Sequence, residues 1–168
     1  MTKEPDLTIR DATIADAPAI QDAVLGIADA LGDRDKVTST IDDVRRHGFG
    51  DAPAFKALIA EVDGATAGVC VYFPSFSTWY GRPGVYVQDL YVRPAYRQHG
   101  IAEKLMRRLG RDAKRAGGTY IRLSVDIENV SAQRFYEKIG MKWSKAERIY
   151  VARHADFAAL AADDGDDP

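Results

Sequence analysis

The sequence predicts an α/β fold with a central sheet of mixed strand direction. Runs of β-branched and aromatic residues alternate with segments of helical periodicity along the chain. One pair of runs is joined by the two-residue turn Asp63-Gly64, the signature of an antiparallel hairpin. The other runs are separated by helices, and that rhythm places helices against a sheet of mixed direction.

Residues 7–10 open the chain as a short strand. Thr13-Ile14-Ala15-Asp16 reads as a capping box with Asp in place of Glu or Gln. Behind it Ala17, Ile20, Val24, Ile27, Ala28 and Leu31 recur at helical spacing, and Gly32-Asp33-Arg34-Asp35 breaks the helix. A second short helix starts near Thr40, with Asp42 and Asp43 in its first turn, where the helix dipole favours acids. Residues 48–53 form a loop, 55–62 a strand and 66–73 its hairpin partner. Residues 74–84 carry Pro, Ser and Gly with Phe76, Trp79 and Tyr80, and read as an aromatic loop that either closes over the core or rims a pocket. A strand over residues 85–92 ends at Pro94, which has no N–H for a ladder.

The main helix, about 101–116, has Ile101, Ala102, Leu105, Met106, Leu109 and Ala113 on one face, and Gly117-Gly118 ends it. Residues 119–125 are a strand. Asn129 or Ser131 caps the next helix, whose apolar face is Ala132, Phe135, Tyr136 and Ile139, with Gly140 at its end. Residues 141–143 and 149–153 are expected as closing strands and 155–162 as a loose end.

A chain of 168 residues is one domain by size. One domain over residues 1–155 is expected, followed by a segment, 156–168, that ends in a disordered acidic tail. That tail (Asp163, Asp164, Asp166 and Asp167) hides the balance of the body. Without those four of the 25 acids, 21 remain against 23 bases. Such a slight excess lacks the basic footprint of a general nucleic-acid binder. Cys70 is the single cysteine and lies in an apolar run, so a disulfide framework is excluded and a buried structural thiol is expected. The polar first six residues and the absence of a membrane-length apolar run point to a cytoplasmic chain without a membrane segment. No metal site is expected.

Chemistry concentrates where the strand at 85–92 passes through a polar turn, Arg97-Gln98-His99-Gly100, into the helix at Ile101. Unpaired N–H groups and the positive end of the helix dipole there make a site for phosphate. The turn is neither a P-loop nor a G-x-G-x-x-G fingerprint. It resembles the (Arg/Gln)-x-x-Gly-x-(Gly/Ala) motif of the GNAT N-acetyltransferases. Asn129-x-x-Ala132-x-x-Phe135-Tyr136-x-x-x-Gly140-Met141 resembles their second signature, and the resemblance spans roughly residues 7–153. Within that superfamily the chain looks most like the diamine (spermidine/spermine) and thialysine acetyltransferases, through residues 48–53, 76–84 and 88–92.

The resemblance implies a mostly antiparallel GNAT-like sheet with helices on both faces and a splayed strand pair at the cofactor site. It also implies acetyl-CoA as cofactor, with CoA as product. Arg97, Gln98, His99, Gly100, Ile101 and Ala102 would hold its pyrophosphate, and Leu90, Tyr91 and Val92 its pantetheine arm. Asn129 and Ser131 would complete the cofactor site. Tyr136 would protonate the departing thiolate, and Gln88, Asp89 and Trp79 would meet the substrate. A homodimer through residues 149–153 is implied as well.

Two departures from the family bear on the chemistry. Gln88 stands where the diamine enzymes have a glutamate, and glutamine takes no proton at neutral pH. Asp89 is adjacent, but strand alternation points it to the other face. Asp126, Glu128, His47, His99 and His154 are further candidate bases. Ala30 and Leu31 stand where the polyamine enzymes carry a Tyr-Glu pair, and the following acidic run is reduced to Asp33 and Asp35. The expected function is acetyl transfer to the primary amine of a small diamine-like or amino-acid-like molecule, by direct attack in a ternary complex. A protein or peptide acetyltransferase and a CoA-binding module with little turnover are the alternatives.

Overall fold

A computed structural model describes residues 6–162, so the expected acidic tail lies outside the described residues. The chain divides into two compact units, Met1–Asp126 and Ile127–Pro168.

The first unit is a five-stranded sheet in sequence order: β1 (Leu7–Asp11), β2 (Lys56–Val62), β3 (Ala65–Ser77), β4 (Arg82–Val92) and β5 (Ile121–Leu123). Neighbours pair antiparallel except β4 and β5, which are parallel. Three helices belong to this unit: α1 (Ala17–Leu31), α2 (Ile41–Phe49) and α3 (Ile101–Arg115). Strand alternation sorts the core into two layers. Ala57, Ile59, Val69 and Val71 pack with Ala17, Ile20 and Ala23 of α1 and Val44 of α2. The opposite face meets α3, where a Cβ on Gly68 would lie 3.2 Å from both Ile101 and Leu105 side-chain carbons. The sheet therefore has helices on both faces, and the apolar face expected for α3 is the buried one.

Polar contacts fix where α1 begins. The Thr13 N–H donates to Asp16 Oδ2 (2.7 Å) across a 3-10 turn at Ile14–Asp16. The Arg10 guanidinium reaches from β1 with two bonds to the Asp16 carboxylate, 2.8 and 2.9 Å, and two to Glu61 Oε1 on β2, 2.7 and 3.1 Å. Hydrogen bonding to Arg10 pulls the buried Asp16 carboxyl below its ordinary range. α2 opens on a second capping box, Thr40 with Asp43.

Several expectations change. The loop expected over residues 74–84 is mostly strand, because β3 runs on to Ser77 and β4 begins at Arg82. Pro74 is tolerated because β2 ends opposite Tyr72 and leaves β3 an edge on that side. Phe76, Trp79 and Tyr80 are exposed around the hairpin tip and do not close over the core. β5 is three residues long, shorter than expected.

The second unit holds α4 (Val130–Lys138) and α5 (Ala155–Leu160). Its half-buried positions include Ala132, Phe135, Tyr136 and Ile139, the face expected for α4. Residues 141–143 and 149–153 are not strands, and 155–160 is helical rather than loose. β-propensity expresses fit to a paired, half-buried surface. Trp143, Ile149, Tyr150 and Val151 are instead exposed, and this unit has no strand among its described residues.

One glycine in α1 is explained by the sheet beneath it. A Cβ on Gly26 would overlap the Tyr91 ring of β4. Gly26→Ala gains about 1 kcal/mol of helix propensity but overpacks this contact at about 1–3 kcal/mol. Thermal denaturation is expected to register a net loss of stability, whereas the same change in a Tyr91→Ala background is neutral or stabilising.

Candidate active site

The site is built on an irregularity in β4. Val71 of β3 pairs with Asp89 and the next residue, Tyr72, pairs with Val87. Gln88 is therefore the extra residue of a β-bulge, and beyond it the alternation of β4 is reset. The expectation that Asp89 faces away from Gln88 is overturned. Asp89 lies opposite Val71 on the face covered by α1 and α2, and Gln88 and Asp89 line the same cavity. The ladder to β5 also stops here, at Val87 opposite Leu123. From Gln88 to Val92 that edge of β4 has no parallel neighbour among the described residues.

The cavity, about 330 Å³, lies between α1, α2, β3 and β4. Ile20, Val24, Val44, Phe55, Val71 and Phe73 supply its apolar wall. Ser39, His47 and Gln88 are exposed at its mouth. Two of its polar groups are held by other residues. Gln21 donates from Nε2 to the Ser39 carbonyl (2.8 Å), and Asp43 Oδ2 accepts from the Thr40 N–H and hydroxyl, 2.8 Å each. Asp89 differs. No hydrogen bond or ion pair reaches its carboxylate among the described residues. Burial alone pushes its pKa up to about 6. Behind it on β3, burial and the Asp89 charge push the Cys70 thiol up to about 12, as expected of a structural cysteine.

The phosphate turn follows β4. A 3-10 turn at Pro94–Tyr96 leads to Arg97, and Gln98 and Gly100 both take left-handed backbone conformations, φ +65° and +72°. Gly100 is the N-cap of α3, and no side chain caps that helix. Arg97 and His99 fold back on the turn itself. Arg97 Nε donates to the Val92 carbonyl (3.1 Å), its guanidinium lies 6.0 Å from the Tyr91 ring centre, and His99 Nδ1 lies 2.7 Å from the Arg97 carbonyl. Glu103 in the first turn pairs with Arg107 (2.7 Å), away from the helix mouth. The turn thus presents main-chain N–H groups around Gly100, with open space where a Cβ would stand. These residues fit a pyrophosphate held by backbone amides and the helix dipole.

In the second unit Asn129, not Ser131, caps α4, its Oδ1 accepting from the Ala132 N–H (3.1 Å). Ser131 is exposed in the first turn. The half-buried Tyr136 ring lies edge-on to Phe135 with centroids 5.1 Å apart. Trp79 is 92% exposed at the β3–β4 hairpin tip and is not among the residues lining the cavity. Of the candidate bases, Asp89 and His47 line the cavity and His99 lies at the phosphate turn. Sequence reasoning missed Gln21, Ser39 and Phe55 in the cavity wall. Ile20 and Val24 had a signal in the helical periodicity of α1. Gln21 had none, because a polar residue on that face is legible only once its partner Ser39 is known.

The sequence profile of the acetyltransferase (GNAT) family matches residues 27–141. A thialysine N-epsilon-acetyltransferase from Bos taurus is 33% identical over 140 residues, covering 79% of this chain and 82% of the relative. Among solved structures, an integron cassette protein from V. cholerae superposes with a TM-score of 0.80 at 18% identity, covering 94% and 98% of the two chains. An aminoglycoside N-acetyltransferase, AAC(6')-Iy in complex with CoA, superposes at 0.72 with 18% identity, covering 92% and 99%.

Asp89 ties the site to stability. Its folded pKa is raised, so between about pH 4 and 6 the native state holds a proton that the unfolded chain has lost. Stability contributed by the neutral carboxyl is present below that window and lost as pH rises through it. The cost above pH 6 is roughly 2–3 kcal/mol at most. Asp89→Asn removes this half-buried charge, so thermal melts at pH 7.5 are expected to rise by roughly 4–8 °C, with little change at pH 4.

Proposed function

The chain belongs to the GNAT family of acetyltransferases, and we propose that it transfers acetyl from acetyl-CoA to a small primary amine, with Asp89 receiving the amine. One observation carries this reading: a carboxylate that no described residue pairs with lines an apolar cavity beside the bulge where the β4–β5 ladder ends. The relative's acceptor, thialysine, is itself an amine, which agrees with a cationic guest for Asp89.

Acetyl-CoA supplies an acyl group activated as a thioester. Gln98 to Ala102 hold its pyrophosphate through main-chain N–H groups, with Arg97 and His99 bracing the turn. The open edge of β4 at Leu90 to Val92 offers N–H and C=O groups to an extended arm, as a strand edge does to a strand. Asn129 shapes the start of α4, the helix that bears Tyr136, and Ser131 is a further cofactor contact.

The acceptor arrives as an ammonium and pairs with ionised Asp89. In water an alkylammonium near pKa 10.4 holds its proton far more tightly than a carboxylate. Desolvation in an apolar cavity disfavours both charges, lowering the amine and raising the acid, so the two affinities converge. Asp89 then takes one proton, and the free amine attacks the thioester carbonyl with both substrates bound. Gln88, exposed on the bulge, orients the nitrogen or a water beside it. As the C–N bond forms and the C–S bond breaks, Tyr136 gives its proton to the leaving thiolate. The second proton lost by nitrogen restores the phenol, and the proton on Asp89 leaves to solvent.

The reading is tested by acetyl-CoA-dependent release of free thiol over a panel of primary amines. Tyr136→Phe is expected to lower kcat by about 10²-fold or more, and a change within about twofold removes Tyr136 from the mechanism. For the wild type, kcat/KM should rise with pH through an apparent value of about 6, as Asp89 ionises. Asp43 and His47 of α2 line the same cavity and Cys70 lies behind Asp89, so Asp89→Asn is the control. It should abolish that limb and lower kcat/KM by about 10²-fold.

A further inference from the structure

We propose that Gln21 is a specificity-determining residue, its amide oxygen accepting a hydrogen bond from a second donor on the acceptor, an N–H or O–H remote from the reacting amine. The inference rests on the acetyltransferase reading above and adds a contact to its acceptor site.

Gln21 stands on α1 beside the buried Ile20, and like Ile20 and Val24 it lines the acceptor cavity. It is itself 5% exposed. An amide taken out of water is costly unless its groups are bonded. This one carries two N–H donors and an oxygen with two lone pairs.

Ser39 fixes which end of the amide is which. Its main-chain carbonyl can only accept, so the group 2.8 Å from it must be the NH2. That bond has the ordinary length of a sound N–H···O contact. The other contacts of the amide are both with the Ser39 hydroxyl, 3.3 Å from Nε2 and 3.4 Å from Oε1. A hydroxyl donor usually lies about 2.7–2.8 Å from its acceptor, and this one has a single hydrogen to give. No other described residue bonds to Oε1. The NH2 group is therefore anchored, while the oxygen keeps acceptor capacity in a wall that is otherwise largely apolar.

A donor on the acceptor molecule answers that capacity. Asp89 receives the reacting amine from β4, and Gln21 meets the rest of the molecule from α1. Asp43 lines the cavity too, so a second ammonium would be drawn to its charge as well as to Gln21. A hydroxyl carries no charge and isolates the contribution of the amide.

Amino alcohols of three to six carbons, amine and hydroxyl at opposite ends, are compared with alkylamines in which a methyl group replaces the hydroxyl. The full-length protein and its Gln21→Leu variant are assayed for steady-state acetylation of each pair. For at least one pair, the ratio of kcat/KM for the amino alcohol to that for the alkylamine is expected to fall by about tenfold in Gln21→Leu. The alkylamine itself should change by less than about threefold. The same amino alcohol should raise the melting temperature of the wild type more than that of the variant. Ser39→Ala keeps the carbonyl that anchors the amide and removes the hydroxyl, so the wild-type ratio should be retained or increased. Circular dichroism confirms that Gln21→Leu is folded, and should it fail to fold, Gln21→Met removes the amide with an unbranched side chain.

A ratio within about twofold of the wild-type value for every pair overturns the proposal and leaves Gln21 a tie between α1 and Ser39, with the acetyltransferase reading intact. Loss of the ratio in Ser39→Ala assigns the contact to the hydroxyl and likewise overturns it. Failure to acetylate any primary amine overturns that reading and this proposal together.

Discussion

One extra residue in β4 sets the geometry on which everything else depends. A regular strand would put Gln88 and Asp89 on opposite faces. The bulge between Val71 and Tyr72 makes Asp89 the partner of Val71, on the face that α1 and α2 cover. The parallel ladder to β5 ends at the same place, with Val87 opposite Leu123. A single local insertion thus brings a carboxylate into a cavity and frees a strand edge beside it. Regular pairing would accomplish neither.

The rest of the first unit holds that irregularity rigid. β4 carries it between β3 and β5, with β3 at the centre of the sheet. Helices press on both faces, α1 and α2 through Ile20, Ala23 and Val44, and α3 through Ile101 and Leu105. The Arg10–Asp16–Glu61 cluster anchors the entry to α1, the helix that supplies Ile20 and Val24 to the cavity wall. Tyr91, two residues beyond Asp89, presses its ring into the space left by Gly26. Packing of this kind is needed to keep a half-buried carboxylate in place, because its charge opposes folding at neutral pH.

The phosphate turn and the cavity follow opposite designs. At the turn, charged side chains bend back onto the turn's own carbonyls and the main chain faces outward, around a glycine whose missing Cβ leaves open space. In the cavity Gln21 is bonded to Ser39, Asp43 is bonded to Thr40, and the Asp89 carboxylate is engaged by no described residue. A backbone nest suits a ligand recognised by shape and repeated oxygens, whereas polar side chains set in an apolar wall suit a guest recognised group by group.

The sequence by itself determined helices α1 to α4, the glycine turn that opens α3 and the family. Those features rest on local periodicity, capping residues and short motifs, which act within a few residues of chain. The face of α3, the capping box at Thr13, the start of α2 near Thr40, and Gly100 at the mouth of a helix are all legible that way. Residues 141–143 and 149–153 have strand-like composition without strand structure, because pairing requires a neighbour that composition does not specify. Only the tertiary structure decided that Asp89 shares a cavity with Gln88, and that Gln21, Ser39 and Phe55 belong to its wall. A bulge is a relation between two strands, and the cavity that surrounds Asp89 is lined by residues of α1, α2 and β3 that are distant in the chain. Neither is written in the residues 88 and 89 themselves.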